Sequence, residues 1–545
     1  MKLTIFTIRT KLRKIVRCNL SGVFRAFVVL TFASSVHSQH GEIRKLPSTN
    51  DRSDVLAFTN ASNHEQLPLD PNHGQFVAQN SACAPHSLGE VPYDPTAFGD
   101  DPDYSGFEYN PDVETDVYTG SYLNPTQRPW IELGRGMYQP GPIMPSDNWL
   151  GDKNLIAQHF LLYGDYRVGF AYNDNGAKDR LVSAHRLNLD LDWKITATER
   201  IHAFIGPLDR GTNFTRTEFD RGELDFFEEF DDDFDTIFFE GDLGYLYGGM
   251  KGIDAPFDLP FAAGLFPLLF QNGVWIEDAF IGAIATIPAK YCEPLNWSNY
   301  DLAFFVGFDE INSPAFGTDD SAANVYGVHS AIDVCEGYLE VGYAFLDDSI
   351  VPQRSYHNLG VSFSRRYFHR VSNAVRVIVN AGQGRGFGPQ TADGQLVIFE
   401  NAFISNNPNF FVPYVNLFAG FGSPQSVARA GVAGGVLRNV GINFETDGLT
   451  GYPFIDDTGN NTVGGAAGLN ILCDNFACQF IFELAWLQTH GRAVNRRAVD
   501  DQFAIGARYQ KPISNAWIFR CDAMHGFYQN ANDVSGIRTE FRYKF

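Results

Sequence analysis

The chain has 545 residues, with 41 Lys and Arg against 64 Asp and Glu, so its formal net charge is -23, a poor match for nucleic acid. Mean hydropathy is -0.18, and beyond the N-terminal leader no uncharged apolar run reaches the roughly 18 residues of a membrane helix, which excludes a helical transmembrane bundle. Aromatics at 14%, 52 Gly, 5 Met and 7 Cys suit many short strands better than a helical core.

Met1 to Arg25 carries Lys2, Arg9, Lys11, Arg13, Lys14, Arg17 and Arg25 with no acid, followed by the apolar Ala26 to Ala33. Val36 and Ser38 then stand at the minus-three and minus-one positions of a cut before Gln39, so residues 1–38 read as a signal peptide. An amphipathic anchor that stays attached is the alternative. Cleavage removes seven positive charges and takes the net charge from -23 to -30 (-23 minus 7). Residues 39–150 are rich in Pro, Asp, Asn and Gly, as in Asn110-Pro111-Asp112 and Gln139-Pro140-Gly141-Pro142, and hold no sustained period. They read as a mostly irregular segment, with a small folded domain as the alternative. Its more apolar end, Arg128 to Tyr138, is able to pack onto whatever follows.

From about residue 158 a period of two takes over. In Leu181 to Ile195, Arg186, Asn188, Asp190, Asp192 and Lys194 share one face and Leu187, Leu189, Leu191, Trp193 and Ile195 the other. Phe160 to Tyr172, Val371 to Ala381, Phe476 to Gln488 and Phe503 to Tyr509 split in the same way. Burying charges at five successive positions of one strand in a dry core carries a large desolvation cost, so that face points to water. Strands are expected near residues 158, 181, 197, 236, 259, 274, 298, 323, 336, 356, 371, 393, 410, 463, 476, 502, 516 and 534.

The last stretch, Val534 to Phe545, sets Ile537, Thr539, Phe541, Tyr543 and Phe545 against Arg538, Glu540, Arg542 and Lys544 and finishes on Phe. This alternating segment with a terminal aromatic resembles the closing strand of bacterial outer-membrane porin-like β-barrels. The resemblance implies an all-β fold: a transmembrane antiparallel barrel of about 16–18 strands over 151–545, preceded by a periplasmic segment over 39–150. It also implies outer-membrane lipid and the barrel assembly machinery as partners, small polar solutes as cargo, and a homotrimer as a common assembly.

Link lengths support a barrel. If the first strand starts from the periplasm, long links fall where outer loops belong: the acidic segment after Leu208, Asn312 to Ala322, Gly384 to Gly394, Gly422 to Asn461 and Gly491 to Asp500. Short ones, such as His369 to Ser372 and Asp474 to Phe476, fall at the other end. Cys473 and Cys478 flank one inner turn, and Cys292 and Cys335 lie at two others, so both pairs are candidate disulfides on an oxidising side.

The water-facing charges form the main candidate site. Asp165, Arg167, Arg186, Asp190, Asp192, Lys194, Arg376, Glu483, Arg508, Arg520, Asp522, Arg538, Glu540 and Arg542 are expected to line a pore. A surplus of Arg in that lining favours anions. The competing reading is that these charges pair along the wall. The long loop Gly420 to Gly464 resembles a porin loop that folds inward as a constriction, with Arg429 and Arg438 supplying charge, although an exposed lid or adhesive loop fits equally well. Twelve acids lie between Glu218 and Asp242. Among them Asp231, Asp232, Asp233 and Asp235 are candidate ligands for Ca2+ or Mg2+, with a solvated charge run as the plainer reading. No other cofactor is expected.

An enzyme is not expected: the chain has no Gly-x-Ser-x-Gly stretch, the His residues are scattered, and Glu483 has no defined partner carboxylate. The glycines around Gly384 and Gly386 lie in a loop between strands and precede no helix. The functional expectation is an outer-membrane channel for passive or weakly selective diffusion of small polar or charged solutes. The rival is a surface adhesin or receptor anchored by its barrel.

Overall fold

A computed structural model describes residues 129–134 and 158–545, apart from 197, 385–389, 446–447, 474–477 and 495. The expected signal peptide and most of the 39–150 segment therefore lie outside the described residues.

Eighteen staves close into one antiparallel barrel. They are β1 (His159–Asp174), β2 (Asp179–Lys194), β3 (Arg200–Ile205), β4 (Thr236–Asp242), β5 (Pro260–Phe270), β6 (Ile276–Cys292), β7 (Trp297–Asp309), β8 (Ala323–Val334) and β9 (Gly337–Asp348). There follow β10 (Tyr356–Tyr367), β11 (Val371–Ala381), β12 (Asp393–Phe403), β13 (Phe411–Ser423), β14 (Thr462–Cys473), β15 (Cys478–Thr489), β16 (Gln502–Pro512), β17 (Trp517–Tyr528) and β18 (Val534–Lys544). Each stave pairs with the next, and β18 returns to β1 through a register that sets Arg167 opposite Arg542 and Ala171 opposite Arg538. Closure removes the two free edges that an open sheet of these staves would carry.

Alternation decides which side chains meet which medium. On the outward face Phe304, Tyr326, Leu359, Phe399, Phe482, Trp486 and Ile537 are all exposed. Leaving so continuous a band of aromatic and aliphatic side chains in water would be costly, whereas hydrocarbon accepts it; this is the surface of a membrane-spanning barrel of the outer-membrane type. Among the described residues no helix is long and apolar enough to cross a membrane.

The rim with the short turns is called inner here and the rim with the long loops outer. One inner link departs from the expected pattern: residues 243–259, between β4 and β5, carry the helix α1 (Leu243–Lys251). At the inner rim Cys473 and Cys478 are joined in a disulfide, with Cα atoms 5.0 Å apart. Cys292 and Cys335 are both free thiols, contrary to the pairing expected for them. They occupy different turns, the ends of β6 and β8, and spacing along the chain did not measure the distance around the wall.

The interior also departs from expectation. Its outer half is filled by two apolar cores in place of an open water column. One packs Trp275, Phe280, Phe305, Phe316 and Tyr356; the other packs Val436, Leu437, Val440 and Phe444 of the long loop against Ala466, Ala485, Leu487 and Ala504 of the wall. Trp275 lies flat on Gly342 and Gly360, where an added Cβ would come within 2.4 Å of the indole. Its Nε1 donates to Asn358 Oδ1 at 2.9 Å. Each fully buried Phe contributes about 1.5–3 kcal/mol relative to exposure, which gives these loops a reason to fold inward. In the inner half the inward side chains, among them Ser364, Glu400, Asn470, Gln479 and Gln510, are only half-buried.

Candidate functional site

The site is built where the loop 424–461 meets the wall. This segment enters the lumen beside the β5–β6 turn: Val427 N donates to Trp275 O at 2.9 Å, and Ala428–Arg429 pairs in parallel with Ile276–Glu277. Arg429 is buried and spends its guanidinium on the carbonyls of Gly273, Ala433 and Gly434 and on Glu277 at 3.4 Å. It is a cleat holding the loop. Arg438 reaches both Glu277 oxygens, at 2.7 and 2.8 Å, and its side chain keeps 27% of its accessibility.

A second anchor is Glu483 on β15, fully buried. Its carboxylate accepts from Ile442 N at 2.9 Å, Asn443 N at 2.9 Å, Asn443 Nδ2 at 2.8 Å and Tyr414 Oη at 2.5 Å. Four donors satisfy a buried charge well, so this carboxylate fastens the loop and does not line water. Farther along, Asn173 Nδ2 donates to Thr450 O at 2.8 Å and Tyr528 Oη to Phe454 O at 2.9 Å. Arg497 ties Asp456 at 3.0 Å and Asp457 at 2.5 Å from the next outer loop.

Between these anchors lies a charged arc on β16 to β18, β1 and β2. Asp522 takes Arg508 Nε at 2.6 Å on one oxygen, and Arg520 Nε and Arg538 Nε, both at 2.8 Å, on the other. Glu445, delivered by the loop, meets Arg508 at 2.7 Å and Arg520 at 3.1 Å. Arg538 also lies over the Tyr452 ring at 5.2 Å. Asp165 accepts from Arg167 Nε at 2.6 Å, lies 2.7 Å from Arg542 Nε and accepts from Asn188 Nδ2 at 3.2 Å. Arg186 reaches Asp209 of the β3–β4 loop at 3.1 Å.

The remaining expected lining residues are spread around the wall. Asp192 lies 3.8 Å from Arg200. Arg376 is buried against Glu400 at 3.0 Å and Ser362 at 2.8 Å. Asp190, Lys194 and Glu540 are half-buried on the inward face, with Glu540 opposite Arg520 in the β17–β18 register. The expected surplus of Arg is offset, because Glu445, Glu277 and Asp209 supply acids whose destination strand periodicity could not reveal. The groups that remain both deep and wet are few. Side-chain accessibility is 29% for Arg542, 28% for Glu445, 27% for Arg438, 23% for Glu277, 20% for Arg520 and 19% for Arg167.

The acidic segment beyond β3 folds as its own hairpin, Asn213–Asp220 with Glu223–Phe227, and its first strand takes over pairing with the outer half of β2. Cations oppose its acids: Arg180 from the wall and the hairpin's own Arg216 on Glu218 at 2.9 and 2.6 Å, and Lys178 on Asp220 at 3.0 Å. The carboxylates of Asp231, Asp232 and Asp233 gather within 4.8 Å of one another, with Arg210 3.6 Å from Asp231; such a cluster does not by itself argue for an ion. Asp235 stays exposed, whereas Asp209 is buried, and burial pushes the Asp209 carboxyl up to about 6 despite Arg186.

No protein-family model and no curated protein matches the chain. Solved structures with a similar barrel include three from Pseudomonas aeruginosa. OpdL is 10% identical with a TM-score of 0.46, covering 71% of this chain and 98% of its own. OccK5 (OpdH) is 9% identical with a TM-score of 0.45, covering 71% and 98%. OccK1 (OpdK) is 11% identical with a TM-score of 0.45, covering 70% and 97%. At this distance the likeness concerns form alone, and function is argued from this chain's own residues.

Proposed function

We propose that the protein is an outer-membrane channel through which small polar or charged solutes diffuse along a narrow, charge-lined path beside the inward loop. One observation carries this reading: Glu445, Arg520, Arg438 and Glu277 lie deep within the barrel yet keep a fifth or more of their side-chain surface accessible, while the apolar cores beside them are closed. Paired charges of both signs facing a confined passage order water and favour polar over apolar solutes. Because the charges nearly balance, selectivity is weak in sign, and solutes carrying both charges suit it best.

The test is conductance in planar bilayers with reversal potentials in a salt gradient. Stepwise conductance is expected, and Glu445→Gln, which leaves the Asp522 bracket in place, shifts the preference towards anions. Steps with unchanged selectivity would remove Glu445 from the path. A second reading has its own support, since the filled outer half of the lumen is what a barrel that only anchors its outer loops would have. A folded barrel without conductance steps favours that adhesin or receptor role.

A further inference from the structure

The inner link 243–259 holds a helix built inside out. Asp242 caps α1, its Oδ1 accepting from Gly244 N at 2.8 Å and Tyr245 N at 3.0 Å. Gly252, at φ 65, ends the helix. The face turned towards the chain's own return segment is glycine: a Cβ on Gly244 would lie 1.7 Å from Phe257 O, and one on Gly248 would lie 3.0 Å from Ala255 Cα. Each glycine inside a helix costs about 1 kcal/mol relative to Ala, and this close approach leaves most of the large side chains facing outward, Leu246 being half-buried. Leu243, Tyr245, Tyr247, Met250, Ile253 and Phe257 are all exposed, Met250 to 67%. No charge interrupts the helix before Lys251.

This surface continues the lipid-facing wall. Phe239 and Phe261, neighbours on the outward face of β4 and β5, lie tilted against one another with centroids 5.6 Å apart. The ladder runs on through Leu243 N to Leu259 O at 3.1 Å, and Tyr247 stacks on Phe257 at 6.5 Å. The last β5–β6 pair is Phe261 with Ala285, but β6 runs on to Cys292 with Ile287 exposed. At the depth of the helix the neighbouring wall is still apolar. Tyrosines and a terminal Lys around an aliphatic face are what a bilayer interface accommodates.

We propose that α1 and its return segment are a membrane foot, seated in the headgroup layer at the inner rim with phospholipid as their partner. This inference rests on the membrane-spanning reading of the barrel, and the test separates the two. Met250→Cys, in a chain whose cysteines outside the Cys473–Cys478 pair are replaced by Ala, is labelled with a polarity-sensitive fluorophore. The protein is then reconstituted into phosphatidylethanolamine–phosphatidylglycerol vesicles, with Phe304→Cys as the wall control. At both sites the emission is expected to shift to the blue and to be quenched more by a shallow lipid-attached nitroxide than by iodide present on both sides. Stronger quenching by iodide at Met250 overturns the foot, and so does protection from both quenchers, which would place a second copy or a protein partner on the surface. Failure at Phe304 as well overturns the membrane reading itself. Tyr245→Cys repeats the measurement if Met250→Cys does not fold.

Discussion

The indole of Trp130 meets the ring of Phe545 edge to face, with centroids 5.3 Å apart. Both residues serve the same edge of β1. Phe545 exchanges two backbone hydrogen bonds with Gly164, at 2.8 and 2.9 Å, and Ile131–Gly134 pairs with His159–Leu162 just beyond. The seam between the first and last staves is thus completed by a strand from ahead of the barrel. An aromatic pair of this kind contributes about 0.5–1.5 kcal/mol beyond its buried area.

Trp130→Ala and Phe545→Ala are each expected to lower the denaturant midpoint of the folded barrel, with the double variant losing less than the sum. Strict additivity in that cycle would show that the rings do not support one another. Deleting residues 129–134 should cost more than Trp130→Ala, because it leaves the His159–Leu162 edge unpaired.

Glu483 binds the inward loop through four donors. Glu483→Ala leaves Asn443 and two backbone N–H groups without their charged acceptor, at a cost of about 1–3 kcal/mol for each hydrogen bond to charge that is lost. The loop is then expected to loosen from β15, giving larger and noisier conductance steps and faster proteolysis within 424–461. A variant with wild-type steps and wild-type protease resistance would mean that Arg429 and the apolar core hold the loop without it.

The outer loop beyond β3 should respond to pH. Buried Asp209 is raised to about 6 from an ordinary 3.8, chiefly by burial. Between those values the folded loop holds a proton that the unfolded chain has released, so this stability is fully present below about pH 4 and is lost as pH rises through 6. Amide exchange in residues 206–235 should be slower at pH 5 than at pH 8 after correction for intrinsic rates. Asp209→Asn should flatten that difference, and an equal pH response in the variant would assign it elsewhere.

The staves were legible because the lipid-facing alternation is written residue by residue. The eighteen expected starts each fall beside a stave, down to the short β4 at Thr236, and the inward parity of Arg186, Asp190 and Asp192 follows from the β1–β2 register. Destinations of loops were not legible. Nothing local marks Glu445 as the partner of Arg508 and Arg520, or Asp209 as the partner of Arg186, because those pairings depend on where a long segment lands. Phe444 and Leu437 were the available signal: two large apolar residues in a Gly- and Asn-rich loop seek burial. The fate of Cys292 and Cys335 failed for the same reason, since wall position is not measured along the chain.

Glu445 offers the sharpest separation between a lining group and a wall brace. It is the carboxylate shared by Arg508 and Arg520, while Asp522 binds the same two guanidiniums from behind and adds Arg538. Removing Asp522 leaves three guanidiniums without their common partner, and breaking a buried pair in this way costs about 3–5 kcal/mol. Asp522→Asn is therefore expected to fold poorly. Glu445→Gln keeps the Asp522 bracket and unmasks positive charge on the wet side, so the reversal potential should move towards anions with little change in thermal stability. If Glu445→Gln instead destabilises the barrel as much as Asp522→Asn and leaves selectivity unchanged, the carboxylate is a brace and the path runs elsewhere.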